Sequence, residues 1–199
     1  MEKRKTIIFG GAFDPPTLAH EIILKACFAE SKETKSDLWI MPSGSRSDKT
    51  IPTKRNVRIK YINAMVEDAG INAISVSIDT LELDNTQITN TYDTIQRLNN
   101  VYPDRLFIWV FGADSITTMT DWENGYWLFD NLDMLIIKRP EFEIDKYPKK
   151  ASILEVITPN ISSTEVRQRL GVGKSVKDLV GPAVDKLLEN TQIKNTPPV

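Results

Sequence analysis

Short apolar runs recur along the chain, and between them the apolar positions fall at helical spacing. The runs are Thr6–Gly10, Asp37–Met41, Ala73–Ile78, Leu106–Phe111, Met134–Lys138 and Ile153–Ile157. Their shortness and their Ile, Val, Phe and Trp content predict strands. The spacing predicts helices over His20–Lys32, Arg55–Asp68, Asn90–Asn100, Trp122–Asp130 and Ser163–Leu170, with a last one near Ala183–Asn190. Strands that are apolar throughout need cover on both faces, so the alternation predicts an α/β fold. Right-handed crossovers then make it a doubly wound, mostly parallel sheet with helices on both faces. Such sheets bind ligands outside the carboxyl ends of their strands, where the winding reverses.

Polar stretches change this picture little. Ser43–Thr53 reads as a mobile loop after the second strand, and Pro140–Lys150, with two prolines and several charges, as a surface excursion. With no internal repeat or long linker, one domain over residues 1–199 is the economical organisation. Hydrophobic residues make up 41% and charged residues 26%, as in ordinary globular proteins. A net charge of -2 gives the chain as a whole no electrostatic case for nucleic acid or an anionic membrane. The apolar start ends at Phe9, too early for a secretion signal, and no run approaches the ~20 residues of a membrane span. One cysteine, Cys27, excludes an internal disulfide framework and fits a reducing compartment. Its place on an apolar helical stripe predicts a buried filler. A cytoplasmic protein is expected. A homo-oligomer is left open.

The chemistry concentrates after the first strand, in Gly10-Gly11-Ala12-Phe13-Asp14-Pro15-Pro16-Thr17-Leu18-Ala19-His20. Two glycines let a ligand approach the main chain, and the helix that follows offers N–H groups and a positive dipole end to phosphate. His20, the single histidine, falls in that helix's first turn, where it either caps the helix or donates to a phosphate oxygen. Neither G-x-G-x-x-G nor G-x-x-x-x-G-K-[ST] occurs. Late in the chain, Ile161-Ser162-Ser163-Thr164-Glu165-Val166-Arg167 starts a second helix, with Ser162 or Ser163 as its cap and Arg167 as a fixed cation with planar donors.

GAFDPPTLAH and ISSTEVR resemble the paired motifs of the HxGH/TxGH nucleotidyltransferase superfamily, with Thr17 at the first motif position and Ala19 where glycine is usual. The resemblance implies a Rossmann-like domain that holds ATP with Gly10, Gly11, Ala12, Phe13, Thr17, His20, Ser162, Ser163, Thr164 and Arg167. The remaining motifs resemble the nicotinate mononucleotide adenylyltransferases of NAD synthesis. Pro42-Ser43-Gly44 with Lys49 resembles their P-S-G…H-K loop, Asp48 replacing the histidine, and Arg58 resembles the arginine opening the next helix. Thr91-Tyr92-Asp93-Thr94 follows Asn90 where that family has tyrosine, and Gly112-Ala113-Asp114-Ser115, Trp122 and Arg139-Pro140 match further motifs.

The implied partners are therefore ATP and a pyridine mononucleotide, with Mg²⁺ arriving on ATP and no metal site of the protein's own. Thr91, Asp114, Trp122 and Arg139 are the expected mononucleotide-binding residues: Trp122 stacking on the ring, Asp114 accepting from ribose hydroxyls and Arg139 facing the phosphate. His20, Lys49 and Arg167 are the expected catalytic residues for in-line attack at the α-phosphorus. Nicotinate and nicotinamide are not distinguished at this level. Another acceptor within the superfamily, and a catalytically weakened nucleotide-binding regulator, are the competing readings. Trp122 speaks against the first, and intact His20 and Arg167 against the second.

Overall fold

The computed structural model describes residues 3–45, 51–85, 87, 90–138 and 144–195. Among them, six strands form one sheet: β1 (Arg4–Gly11), β2 (Asp37–Pro42), β3 (Ser77–Ile78), β4 (Arg105–Gly112), β5 (Asp133–Ile137) and β6 (Ala151–Leu154). Every pairing is parallel, in the order β3-β2-β1-β4-β5-β6. This is the doubly wound Rossmann-like arrangement expected. Around it lie α1 (Leu18–Glu33), α2 (Arg55–Asp68), α3 (Thr91–Val101), α4 (Ala113–Thr118), α5 (Gly125–Asn131), α6 (Ser163–Gly171) and α7 (Pro182–Asn195).

Strand alternation divides the apolar residues between two cores. Ile7, Phe9, Leu38, Ile40, Val110 and Leu135 pack on one face with α1, α2 and α7. Ile8, Trp39, Met41, Trp109, Met134 and Ile136 pack on the other with α3, α4 and α5. The winding runs from β1 out to β3, then starts again at β4 on β1's other side. The carboxyl ends of β1 and β4 therefore flank the point of reversal, which positions the site. None of the helices among the described residues is long and apolar enough to cross a membrane.

α4 is not among the helices that the spacing predicts, and three expected elements are altered. The third strand shrinks to Ser77–Ile78 because the Asn72 side chain accepts from Ile74 N–H and starts a 3-10 turn over Ala73–Ser75, leaving Ile74 94% exposed. The last strand pairs with β5 from Ala151 rather than Ile153, and Ile157 lies in solvent. The helix expected from Trp122 begins at Gly125 instead. A Cβ on Gly125 would stand 2.0 Å from the Met119 carbonyl oxygen, so this close approach requires glycine. Trp122 is left in an extended link (φ -77, ψ 163) after a 3-10 turn over Met119–Asp121.

Candidate functional site

β1 ends on Gly10 and Gly11, and the chain turns through Ala12 and Phe13 toward α1. Phe13 has a left-handed backbone (φ 47), which costs a non-glycine residue on the order of 1–3 kcal/mol. Its buried ring is fixed edge-on to Phe9 (centroids 5.3 Å apart) and to His20 (5.4 Å), and this packing holds the conformation in place.

Thr17 caps α1 and His20 occupies the third helical position. Thr17 N–H donates to His20 Nδ1 (3.1 Å), and the Thr17 hydroxyl lies 2.8 Å from the same nitrogen. A ring nitrogen that accepts a main-chain N–H carries no proton, so the neutral ring keeps its hydrogen on Nε2. His20 thus serves the helix start as part of its cap. The amides expected to greet phosphate at this helix start are partly committed: Thr17 N–H goes to His20, and Leu18 N–H to the Leu179 carbonyl (2.9 Å). Ala19, where the superfamily has glycine, is buried.

The second motif grips the first. Ser162 caps α6 by accepting from Glu165 N–H (3.1 Å), which leaves Ser163 and Arg167 to reach outward. Ser163, buried, donates its hydroxyl hydrogen to the Pro15 carbonyl (2.8 Å). Arg167 Nη1 donates to the Asp14 carbonyl (2.6 Å), and Nη2 to Thr164 Oγ1 (3.1 Å). Two main-chain carbonyls of the loop are therefore held by side chains about 150 residues away. Direct bonds thus join the two motifs beyond the carboxyl end of β1.

Gly10 and Gly11 border a cleft of about 580 Å³ that reaches from Met41 and Ser43 at the end of β2 to the end of β4. Trp109, Phe111 and Gly112 of β4 form its floor; Asn90 and Thr91 border it at the start of α3, and Trp122 with Glu123 borders it beyond β4. Trp122 is half-buried and rests edge-on against Phe111 (6.0 Å, 67°), so its ring is supported from beneath. Trp127, which also lies beyond β4, packs instead on Tyr92 (5.1 Å). Trp39 and Trp109 are core residues, although Trp109 reaches the cleft as well.

One contributor was missed as a site residue. Arg58 in α2 is only 3% exposed and donates to the Ser43 carbonyl. Burial lowers its pKa from the usual arginine value, while the negative charges of Asp14 and Glu82 act to raise it. Asp14 is itself 1% exposed, and both of its carboxylate oxygens lack a hydrogen-bond partner among the described residues. The charge of Arg58 offsets that isolation, since an unpaired buried carboxylate would be costly. Gly44, next to Ser43, donates its N–H to Glu82 Oε2 (3.1 Å), and a Cβ there would lie 2.2 Å from the Glu82 carbonyl oxygen. The only signal for Arg58 was its match to the family arginine, because nothing in a polar helix start marks a buried charge.

This geometry has known counterparts. The cytidylyltransferase-like family model matches residues 8–169. Proteins described as probable nicotinate-nucleotide adenylyltransferases are similar over nearly the whole chain. The one from Geobacillus thermodenitrificans is 30% identical, covering 92% of this chain and 82% of its own. That from Exiguobacterium sibiricum is 28% identical over 95% of this chain and 98% of its own. The solved nicotinic acid mononucleotide adenylyltransferase of Plasmodium falciparum, complexed with NaAD, has the same fold: TM-score 0.81 at 24% identity, covering 96% of this chain and 98% of that one. The chain belongs to the nicotinate-nucleotide adenylyltransferases.

For an adenylyltransferase of this family the expected residues divide by place. Gly10, Gly11, Thr91 and Trp122 border the cleft. Thr17, His20, Ser163, Thr164 and Arg167 are joined to or across the loop after β1, with Ala12 and Phe13 in it and Ser162 capping α6. Asp114 lies in the first turn of α4, between the cleft-lining Gly112 and Ser115, and its carbonyl accepts from Thr117 Oγ1 (2.8 Å). The cap of α4 is Gly112. Lys49 and Arg139, with the Asp48 departure, lie outside the described residues. Among the described residues no group of three or more His, Cys, Asp or Glu could hold a metal ion.

Proposed function

We propose that the protein joins ATP and nicotinate mononucleotide to give the dinucleotide and pyrophosphate in NAD biosynthesis, with residues 1–199 as one catalytic domain. The observation that carries this reading is the shared edge at Gly10–Gly11. It borders the cleft beneath Trp122 and leads directly into the loop gripped by Ser163 and Arg167. One edge therefore serves a ring-binding cleft and a cationic loop, as the meeting of two nucleotides requires.

In the reaction, an oxygen of the mononucleotide phosphate attacks the α-phosphorus of MgATP in line. The bond to the bridging α–β oxygen breaks, and its electrons leave with pyrophosphate. The nucleophile is already anionic, so no base is needed, and the work is placement and charge compensation. His20 Nε2–H and the Arg167 guanidinium donate to the ATP phosphates, aided by Lys49. The loop residues Gly10 to Phe13, Thr17 and Ser162 to Thr164 shape the ATP side. Trp122 stacks on the pyridinium, Thr91 and Asp114 face the acceptor's polar groups, and Arg139 offsets its phosphate. Mg²⁺ belongs to the substrate, riding on ATP oxygens. The cytoplasm, where ATP and both mononucleotides occur, is the compartment this chemistry fits.

The test is pyrophosphate release from ATP with nicotinate mononucleotide, nicotinamide mononucleotide, phosphopantetheine, a sugar phosphate and flavin mononucleotide. Turnover with the nicotinate form above all others supports the proposal. Preference for nicotinamide moves the assignment to the amide, and preference for a non-pyridine acceptor refutes it. No release with any acceptor supports the regulator reading.

A further inference from the structure

The link that carries Trp122 is tied to the start of α3, at the border of the cleft, by a bond that the proposed chemistry does not use. Asn90 uses its side chain twice. Its Oδ1 accepts from Asp93 N–H (2.8 Å) and caps α3, while its Nδ2 donates to Glu123 Oε2 (2.8 Å). Both residues border the cleft, where they meet although they lie 33 positions apart in sequence. Glu123 directly follows Trp122, in a link that turns through Asn124 with a left-handed backbone (φ 55) before α5 begins. Two residues after Asn90 and four after Glu123, Tyr92 meets Trp127 edge-on (5.1 Å, 90°). The start of α3 is thereby joined to the Trp122 segment at two successive points. Asn90 also stands where tyrosine is usual in the sequence motif, so the amide-to-carboxylate bond depends on this chain's own residue.

We propose that the Asn90–Glu123 hydrogen bond is a strap that sets the Trp122 ring across the cleft, making Asn90 and Glu123 positioning residues for acceptor binding. This rests on the reading of Trp122 as the platform for a pyridine ring. Phe111 supports the indole from beneath, but an edge contact leaves the ring free to swing with its backbone link. The strap fixes that link to the start of α3. Its acceptor is a carboxylate, which makes the bond stronger than one between neutral groups. Breaking it should weaken acceptor binding by roughly 3- to 10-fold, the scale of one partly exposed hydrogen bond. ATP, held at the loop after β1, should be unaffected.

The experiment is steady-state pyrophosphate release by the full chain with ATP and nicotinate mononucleotide, with a melting curve for each variant. Glu123→Ala removes the acceptor of the bond. Asn90→Asp keeps an oxygen to cap α3 but replaces the donor with a carboxylate facing Glu123. Each should raise the acceptor KM about 3- to 10-fold while kcat and the ATP KM stay within about twofold. Glu123→Gln, whose amide oxygen still accepts from Asn90 but without the charge, should stay nearer the unaltered chain than Glu123→Ala does. The double variant Asn90→Asp/Glu123→Ala should be no worse than Glu123→Ala alone. Melting temperatures close to that of the unaltered chain would place these effects in binding.

If the unaltered chain turns over and both single variants keep its acceptor KM, the strap is refuted and the function stands. If Glu123→Gln is as impaired as Glu123→Ala while Asn90→Asp is normal, Glu123 touches the substrate and the strap is again refuted. An unaltered chain that releases no pyrophosphate refutes the functional reading and the strap together.

Discussion

Replacing His20 by alanine removes two interactions, and a second variant can separate them. The first is the cap: Thr17 N–H donates to His20 Nδ1 at 3.1 Å, and Thr17 is only 1% exposed. Leaving that amide without an acceptor costs about 1–3 kcal/mol. At roughly 2–4 °C per kcal/mol for a chain of this size, the melting temperature should fall by several degrees. The second is the donor proposed above, Nε2–H to a phosphate oxygen. Loss of one such donor costs about 10²–10³ in turnover. Asparagine parts the two effects, because its Oδ1 stands where the imidazole Nδ1 stands while nothing replaces Nε2. We predict that His20→Ala loses both stability and turnover, whereas His20→Asn recovers most of the melting temperature and stays at least a hundredfold slow. The assay is pyrophosphate release at saturating ATP and nicotinate mononucleotide beside a thermal melt. An asparagine variant within about threefold of normal turnover would refute the donor role and leave His20 as a cap alone.

Trp122→Ala should raise the acceptor KM by roughly 5- to 30-fold, the scale of a stacking or cation–π contact, and barely move the ATP KM. Losses in parallel for both substrates, with a large fall in melting temperature, would mean that the ring serves the core. Ser163→Ala should cost about 1–2 kcal/mol by leaving the Pro15 carbonyl without its buried donor, and should raise the ATP KM more than the acceptor KM. The reverse order of effects would count against its place on the ATP side. Cys27 is buried, and burial with the nearby Glu30 charge pushes its thiol up to about 12. A thiol reagent at pH 8 should therefore label the protein only as it unfolds, and rapid labelling of the native chain would contradict that packing.

The sheet was legible because Ile7, Ile8 and Phe9 form one apolar run whose alternate members enter different cores, which only a strand covered on both faces allows. The two motifs were legible for a different reason. Their residue types have little to do except bind phosphate or hold a turn, and here several do the second: Ser163 and Arg167 grip carbonyls, and Thr17 caps α1. What could not be read depends on long-range approach. The late start of α5 follows from Gly125 pressing on Met119, and the burial of Arg58 from its reach to Ser43. A local pattern carries no trace of either contact. The committed amides at the start of α1 are a similar case, since Leu18 N–H is claimed by Leu179, far along the chain.

The grip of α6 on the loop after β1 also sets an order in time and temperature. The Asp14 and Pro15 carbonyls are secured by residues that leave the ribosome about 150 positions later, so a nascent chain can complete β1 long before it can hold that loop. The same dependence operates in reverse on heating. α6 is a short helix of nine residues, whereas β1 lies between β2 and β4 at the middle of the sheet. Short peripheral elements open at lower free energy than central strands. Opening of α6 alone would release both carbonyls and carry Arg167 away from the phosphates. Catalysis should then fail while the sheet is still intact, and cooling should restore it without refolding the core.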